Sequence, residues 1–553
     1  MSSTPAGPTI PRDESTPALA ATYARNATGL VREIPMKDMI TFNAASTGTV
    51  GAALAVGVFY AYGVFPGANV LLDFVLAVAL GGFVWVTFAL LSSAMPRTGG
   101  DYLYGSRVLH PAIGLGSNLA TWLGTILSCG AWAYWLTQVG LAPMFGTIGT
   151  LTRSQGWLNA AKTLSGKTDT FLIAIALLVL LSVLAALGTK IAVRAMFWCY
   201  ALAFVGFVVT IAVLLVTSHH HFVTSFNSYA RPYTHQSNTY AGVIQAGGKA
   251  GIAYPSSHGY SFKNTLGALG IAFSSTLWVW WGIYMAGEMK GAGRRKRQLT
   301  TILTAGYGQG ILLVLAAAII LSTVGTDFLA SASSGNFLVS GVQPYFTVFA
   351  AITVASHFIG ILLSLLFLLW FFPACFINLA MCQRVPFAWA FDGLTPGALA
   401  KVDDRTHTPI IAIALTCVLA IGAAAWATYS AHFFTVLAVL ASLSVVPIVT
   451  TGVCAFVLPR RRPEIYQGSP AEWKVRGIAV LPTAGFCCAA IGVFDIALFV
   501  IFHKNFAVSQ WWLLLVPIVG AFAVGATYFY AARAFLASRG VNIDLVYKSI
   551  PPE

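Results

Sequence analysis

Two short polar runs interrupt otherwise apolar sequence: Ser46, Thr47, Gly48 and Thr49 with Gly51, and Ser274, Ser275 and Thr276 followed by Trp278, Trp280 and Trp281. Small and hydroxylated residues at such places allow a helix to open. An opened helix presents free N–H groups at the positive end of its dipole, which can hold a carboxylate. Its freed carbonyls and neighbouring hydroxyls can hold an ammonium group or a cation. A zwitterion needs both, and neither requires a charged side chain in apolar surroundings. Either run alone is equally well read as close helix packing; two runs at matching places favour a binding site. The three tryptophans read as a wall or lid over the rest of a ligand, with an interfacial aromatic belt as the alternative.

Ionisable groups are few. Glu288 stands before Lys290 and Arg294 to Arg297 and is expected to pair with one of these as part of a gate, which Asp101 and Arg107 can join. Asp495 lies inside an apolar run, where a charge is a functional candidate by default; it reads equally as a helix–helix hydrogen bond, a dimer contact or a proton site. His219, His220 and His221 are adjacent and cannot readily converge on one metal, and His357 reads as an interfacial hydrogen bond. The eight cysteines form neither a CxxC pair nor a Cys/His ligand set. No phosphate-binding loop, no HExxH and no Ser/His/Asp set at one depth is present, so no enzyme, metal site or cofactor is expected.

These residues need a scaffold, and composition defines it. Of 553 residues, 58% are apolar and 9% charged, with a mean hydropathy of +0.78. Soluble domains carry roughly 25% charged residues, so lipid must cover much of this chain. Crossing hydrocarbon takes about 20 apolar residues as a helix. Such stretches fall at 40–65, 68–94, 112–147, 169–188, 191–217, 264–287, 299–324, 346–383, 408–428, 431–457, 477–503 and 509–536. A barrel would show short alternating strands; runs such as FLIAIALLVLLSVLAALG are apolar on every face. The fold class is therefore an all-α membrane protein of about twelve spans.

Charge sets the orientation. With a cytoplasmic N-terminus, 24 of the 31 Lys and Arg fall inside and 7 outside. Anionic cytoplasmic lipid accounts for the net charge of +14, and no nucleic-acid partner is implied. The long stretch 346–383 is read as one span preceded by a short outer helix. Splitting it into two would leave 14 basic residues inside and 17 outside. Both termini are expected in the cytoplasm, and the absence of a signal or transit segment favours a cell membrane of prokaryotic inner-membrane type.

The two polar runs open spans one and six, as a five-plus-five inverted repeat with discontinuous first and sixth helices requires. The expected organisation is a flexible tail (1–37), a first five-helix repeat (38–217), an outer loop (218–263), a second inverted repeat (264–457), two additional helices (458–536) and a tail (537–553).

A family likeness rests on three segments. Residues 95–111, MPRTGGDYLYGSRVLHP, resemble the Pro-Arg-x-Gly-Gly-x-Tyr loop after span two in the amino acid–polyamine–organocation superfamily. Ala286-Gly-Glu288 before the basic loop, and Phe391-Asp-Gly-Leu-Thr-Pro396 after span eight, resemble the same family's segments. The likeness implies the inverted-repeat fold, alternating access, and amino acids or polyamines as substrates. Neutral amino acids are the expected class, because a polyamine dication calls for carboxylates and the central parts of the relevant spans contain none. A receptor that kept the fold and lost the transport cycle is the alternative outside transport. The chain departs from the family at Val279-Trp280-Trp281 in span six. Span five has Ala203 where some proton-coupled relatives place Lys, and span eight has only Ser364 where sodium-coupled relatives offer paired hydroxyls. Proton and sodium both stay open as coupling ion, as do the flux direction and oligomeric state.

Overall fold

The computed structural model describes residue 30 and residues 32–550, apart from 47, 48, 253, 340, 341, 355, 431 and 432. Most of the expected tail at 1–37, and residues 551–553, thus lie outside the described residues. Among the described residues eleven helices are long and apolar enough to cross a membrane: Val70–Ala94, Pro111–Leu151, Lys167–Ala186, Thr189–Val216, Phe262–Glu288, Arg295–Val324, His357–Phe391, Ile410–Tyr429, Thr435–Arg461, Val480–Ile501 and Trp512–Ala537. We number these spans two to twelve. In the first apolar stretch the described helices are Met36–Ser46 and, running on from one to the next, Thr49–Ala53, Leu54–Val58 and Phe59–Val64, with residues 47 and 48 outside the described residues. The protein is an all-α, multi-pass membrane protein; among the described residues the strands amount to one small hairpin, Lys474–Val475 with Ile478–Ala479.

Apolar side chains point outward where lipid would be. Leu172, Leu180 and Val183 on span four, Trp198, Leu202 and Val205 on span five, and Phe486 and Val493 on span eleven are all exposed. In water such a surface would cost about 25 cal/mol per Å2. Between helices, small residues set the spacing. Gly452 and Gly485 bring spans ten and eleven into backbone contact, and Gly116 and Gly525 do the same for spans three and twelve.

The stretch expected at 346–383 resolves into a short helix, Phe346–Thr353, and then span eight. Span eight runs on to Phe391, so Arg384, read from sequence as a loop residue, lies inside a helix and is buried. The outer stretch 218–263 holds the helices His219–Thr234 and Thr239–Lys249. At the end of the bundle that carries the basic loops, Gly99 and Gly100 adopt φ of 121° and 54°, which favour glycine. They turn the chain into the short helix Asp101–Tyr104, and a side chain on Gly100 would strike the ring of Tyr284 in span six.

Candidate functional site

Span six loses its α-helical form after Thr276 and continues from Trp281 to Glu288 as a 3-10 helix, kinked at Met285. The first described helix of span one runs to Ser46, and residues 47 and 48 lie outside the described residues. Ser46 lies against the interruption of span six. The Ser46 hydroxyl lies 2.5 Å from the Asn43 carbonyl oxygen and 2.6 Å from that of Trp278, so it can donate to either. The Gly282 N–H donates to Asn43 Oδ1 at 2.8 Å, so span one also caps a free donor of span six. Gln309 of span seven donates to the Ala44 carbonyl oxygen.

Beside the interruption of span six lies a cavity of about 560 Å3. Ser46, Ser274, Ser275, Trp278 and Trp281 line it, joined by Ser128 and Gln138 of span three, Asn378 of span eight and Ser444 of span ten. Among the described residues no lining side chain is an acid, lysine, arginine or histidine. Several buried polar atoms of lining residues have no hydrogen-bond partner among the described residues: the hydroxyls of Ser274 and Ser333, the Trp281 indole N–H and Asn378 Oδ1. Buried polar atoms without partners cost about 1–3 kcal/mol each, and these belong to residues that border the cavity. The set supplies both donors and acceptors. The cavity extends to Gly335 and Gln343, both exposed, at the end away from the basic loops.

The remaining sequence-named residues fall as follows. Thr276 turns its hydroxyl back onto the Ala272 carbonyl oxygen and is not on the cavity wall. Trp280 faces away from the cavity: its ring stacks on Phe88 at 3.9 Å and 6°. Gly51 faces span eight, where any side chain would overlap the Trp370 indole. Thr47, Gly48 and the Thr49 side chain lie outside the described residues.

The basic end of the bundle is sealed. Glu288 does not pair with Lys290 or Arg294 to Arg297; its carboxylate accepts from Arg384 of span eight at 3.0 and 3.1 Å. The physical reason is burial. Glu288 and Arg384 are both almost fully enclosed, whereas Lys290, Arg294 and Lys296 are exposed on the loop and the start of span seven. Arg384 also donates to Thr189 at 3.0 Å. The chain ahead of span one closes over this pair, with Ile34 N donating to the Glu288 carbonyl oxygen and Lys290 N to that of Ile34.

Asp101 and Arg107 belong to two neighbouring clusters rather than to that pair. Asp101 accepts from Tyr284 of span six and from Asn118 and Thr121 of span three, the latter two at 2.8 and 3.3 Å. Burial pushes the Asp101 carboxyl up to about 6, against the lowering effect of those hydrogen bonds. Arg107 makes a bidentate pair with Asp392 at 2.6 and 2.8 Å, and Tyr102 donates to the same carboxylate at 2.8 Å. Sequence reading missed Asn43, Asn118, Asn378 and Gln138. Each is an amide in a largely apolar span, and that rarity was the available signal.

The chain is thus an all-helical membrane fold with an interrupted span six beside an uncharged cavity, whose largely apolar wall carries hydroxyl, amide and indole groups. Residues 40–529 match the amino acid permease family, and the chain belongs to it. It is therefore a permease of the amino acid–polyamine–organocation superfamily, a transporter rather than an enzyme. No curated protein matches the chain.

Proposed function

We propose that this permease carries neutral amino acids across the cell membrane by alternating access around the cavity between spans one and six. The observation that carries this reading is the cavity wall. Among the described residues it has hydroxyl, amide and indole groups and no charged side chain, beside the interruption of span six. The carboxylate of the substrate sits on the N–H and O–H donors around Ser46 and the interruption of span six, including the run Thr47 to Gly51. Its ammonium group sits on the carbonyl and amide oxygens near Ser46, Trp278 and Asn378. Trp278, Trp281 and Trp132 border the space for the side chain. A polyamine would need carboxylates there, and the lining has none.

With the basic loops on the cytoplasmic side, the cavity opens outward and the clusters at Glu288, Asp101 and Arg107 form the closed inner gate. The two five-span halves, 38–217 and 264–457, act as inverted repeats that rock around the site. Saturable uptake of labelled neutral amino acids into proteoliposomes holding the purified full chain is the expected result. Folded protein that takes up none of them would rule the reading out.

A further inference from the structure

Asp495 is a group that the transport cycle described so far does not use. It lies on span eleven, one helical turn before Phe499, a residue of the cavity wall. Its side chain is completely enclosed, which removes the dimer-contact reading. Neither carboxyl oxygen has a hydrogen-bond partner among the described residues, which removes the helix–helix hydrogen bond.

The carboxyl lies against span six. A methyl group built on Gly270 would stand 3.7 Å from Asp495 Oδ1. The absence of a side chain at Gly270 leaves the carboxyl close to the helix backbone. One turn further along the same face is Ser274, a residue of the cavity wall whose buried hydroxyl has no partner among the described residues. Asp495 is thus one turn from the cavity along each of two helices.

The elements that pack on span eleven are spans two, six, ten and twelve and the small hairpin. Their titratable and charged groups are Asp73, Lys263, Tyr284, Glu288, Cys454, Arg460, Arg461, Tyr528, Tyr530, Arg533 and Lys474. None of them pairs or hydrogen-bonds with Asp495. An ionised carboxylate with no partner costs several kcal/mol in such a place, so the neutral acid is the form this setting accepts. Spans two and six contribute their nearest charges, Asp73 and Lys263, from the first turn at the same end as Asp495.

We propose that Asp495 is the proton-binding site that couples transport to a pH gradient. The inference rests on the carrier reading given above. In this conformation the carboxyl holds a proton taken up from the outward-facing cavity past Ser274. Because span six is interrupted after Thr276, its segment Phe262–Thr276 can shift relative to Trp281–Glu288. Movement of Gly270 away from Asp495 would admit water, stabilise the carboxylate and release the proton to the opposite side.

The experiment uses the full chain in proteoliposomes with a panel of labelled neutral amino acids and a pH-sensitive dye inside. Wild type is expected to accumulate substrate under an acid-outside gradient and to acidify the lumen as it does so. Asp495→Asn is expected to lose accumulation and lumen acidification, while exchange of labelled for unlabelled substrate persists; Asp495→Glu, which keeps a titratable group, retains both. Accumulation by Asp495→Asn equal to wild type would overturn the proposal. Should the Asn variant fail to fold, wild type decides alone. Uptake that ignores a pH gradient, or that follows a sodium gradient instead, overturns the proton site and leaves the carrier reading standing. Wild type that carries none of the panel overturns the carrier reading, and the proton site with it.

Discussion

Glu288 and Arg384 join spans six and eight by two parallel hydrogen bonds at 3.0 and 3.1 Å, enclosed at the basic end of the bundle. The pair connects the interrupted helix to the longest helix of the second half, directly below the cavity. Removing one partner leaves the other charge buried and uncompensated, which costs about 3–5 kcal/mol. Arg384→Ala and Glu288→Gln are therefore each expected to lower the thermal unfolding midpoint clearly. The double variant Glu288→Gln, Arg384→Met should recover part of the loss, because no orphan charge remains. Single variants that melt at the wild-type temperature would show that the pair does not anchor the two spans.

Ser46 stands at the interruption of span six, its hydroxyl within reach of the carbonyls of Asn43 and Trp278. Leucine there removes the hydroxyl and adds bulk in an enclosed site, at about 1–3 kcal/mol for the overpacking. Ser46→Leu and Ser275→Leu are expected to reach the membrane as folded protein and to lose uptake. Normal uptake by either variant would move the substrate elsewhere.

Asp101 gives the closed end a pH dependence. Its carboxyl is held up at about 6 by burial, against about 3.9 for a free one. The folded state therefore binds this proton more tightly than the unfolded state. The stabilising contribution is complete below about pH 4 and is lost as pH rises through about 6. Asp101→Asn cannot titrate. Over that window wild type should lose stability relative to the variant, as read by unfolding midpoints at a series of pH values. A constant difference across the window would mean that Asp101 titrates as an ordinary surface acid.

Gly51 allows the second piece of span one to lie flat on Trp370. That indole is fixed edge-on between Tyr200 at 5.3 Å and Phe207 at 6.4 Å. A ring so held cannot move aside for a new methyl group. Gly51→Ala is expected to destabilise by about 1–3 kcal/mol through overpacking, and Gly51→Ala combined with Trp370→Phe to recover part of it. A stable, fully active single alanine variant would show that the two helices separate easily.

Hydropathy and length alone determined the helical membrane class, because each apolar helix must satisfy its own backbone in lipid whatever its neighbours are. They placed eleven of the spans near their observed positions, and the small polar run at Ser274 to Thr276 marked the place where span six is interrupted. The motif at residues 95–111 carried the family. These are local signals, written within one segment.

What stands opposite what was not written locally. That Glu288 meets Arg384 rather than the adjacent basic loop follows from how spans six and eight lie together, 96 residues apart in sequence. The same holds for Asn43 beneath Gly282, and for Trp280 turning onto Phe88 while Trp278 and Trp281 face the cavity. A span that is apolar on every face gives no periodic sign of which side is buried. Only the assembled bundle decides which of its few polar atoms share one enclosed space.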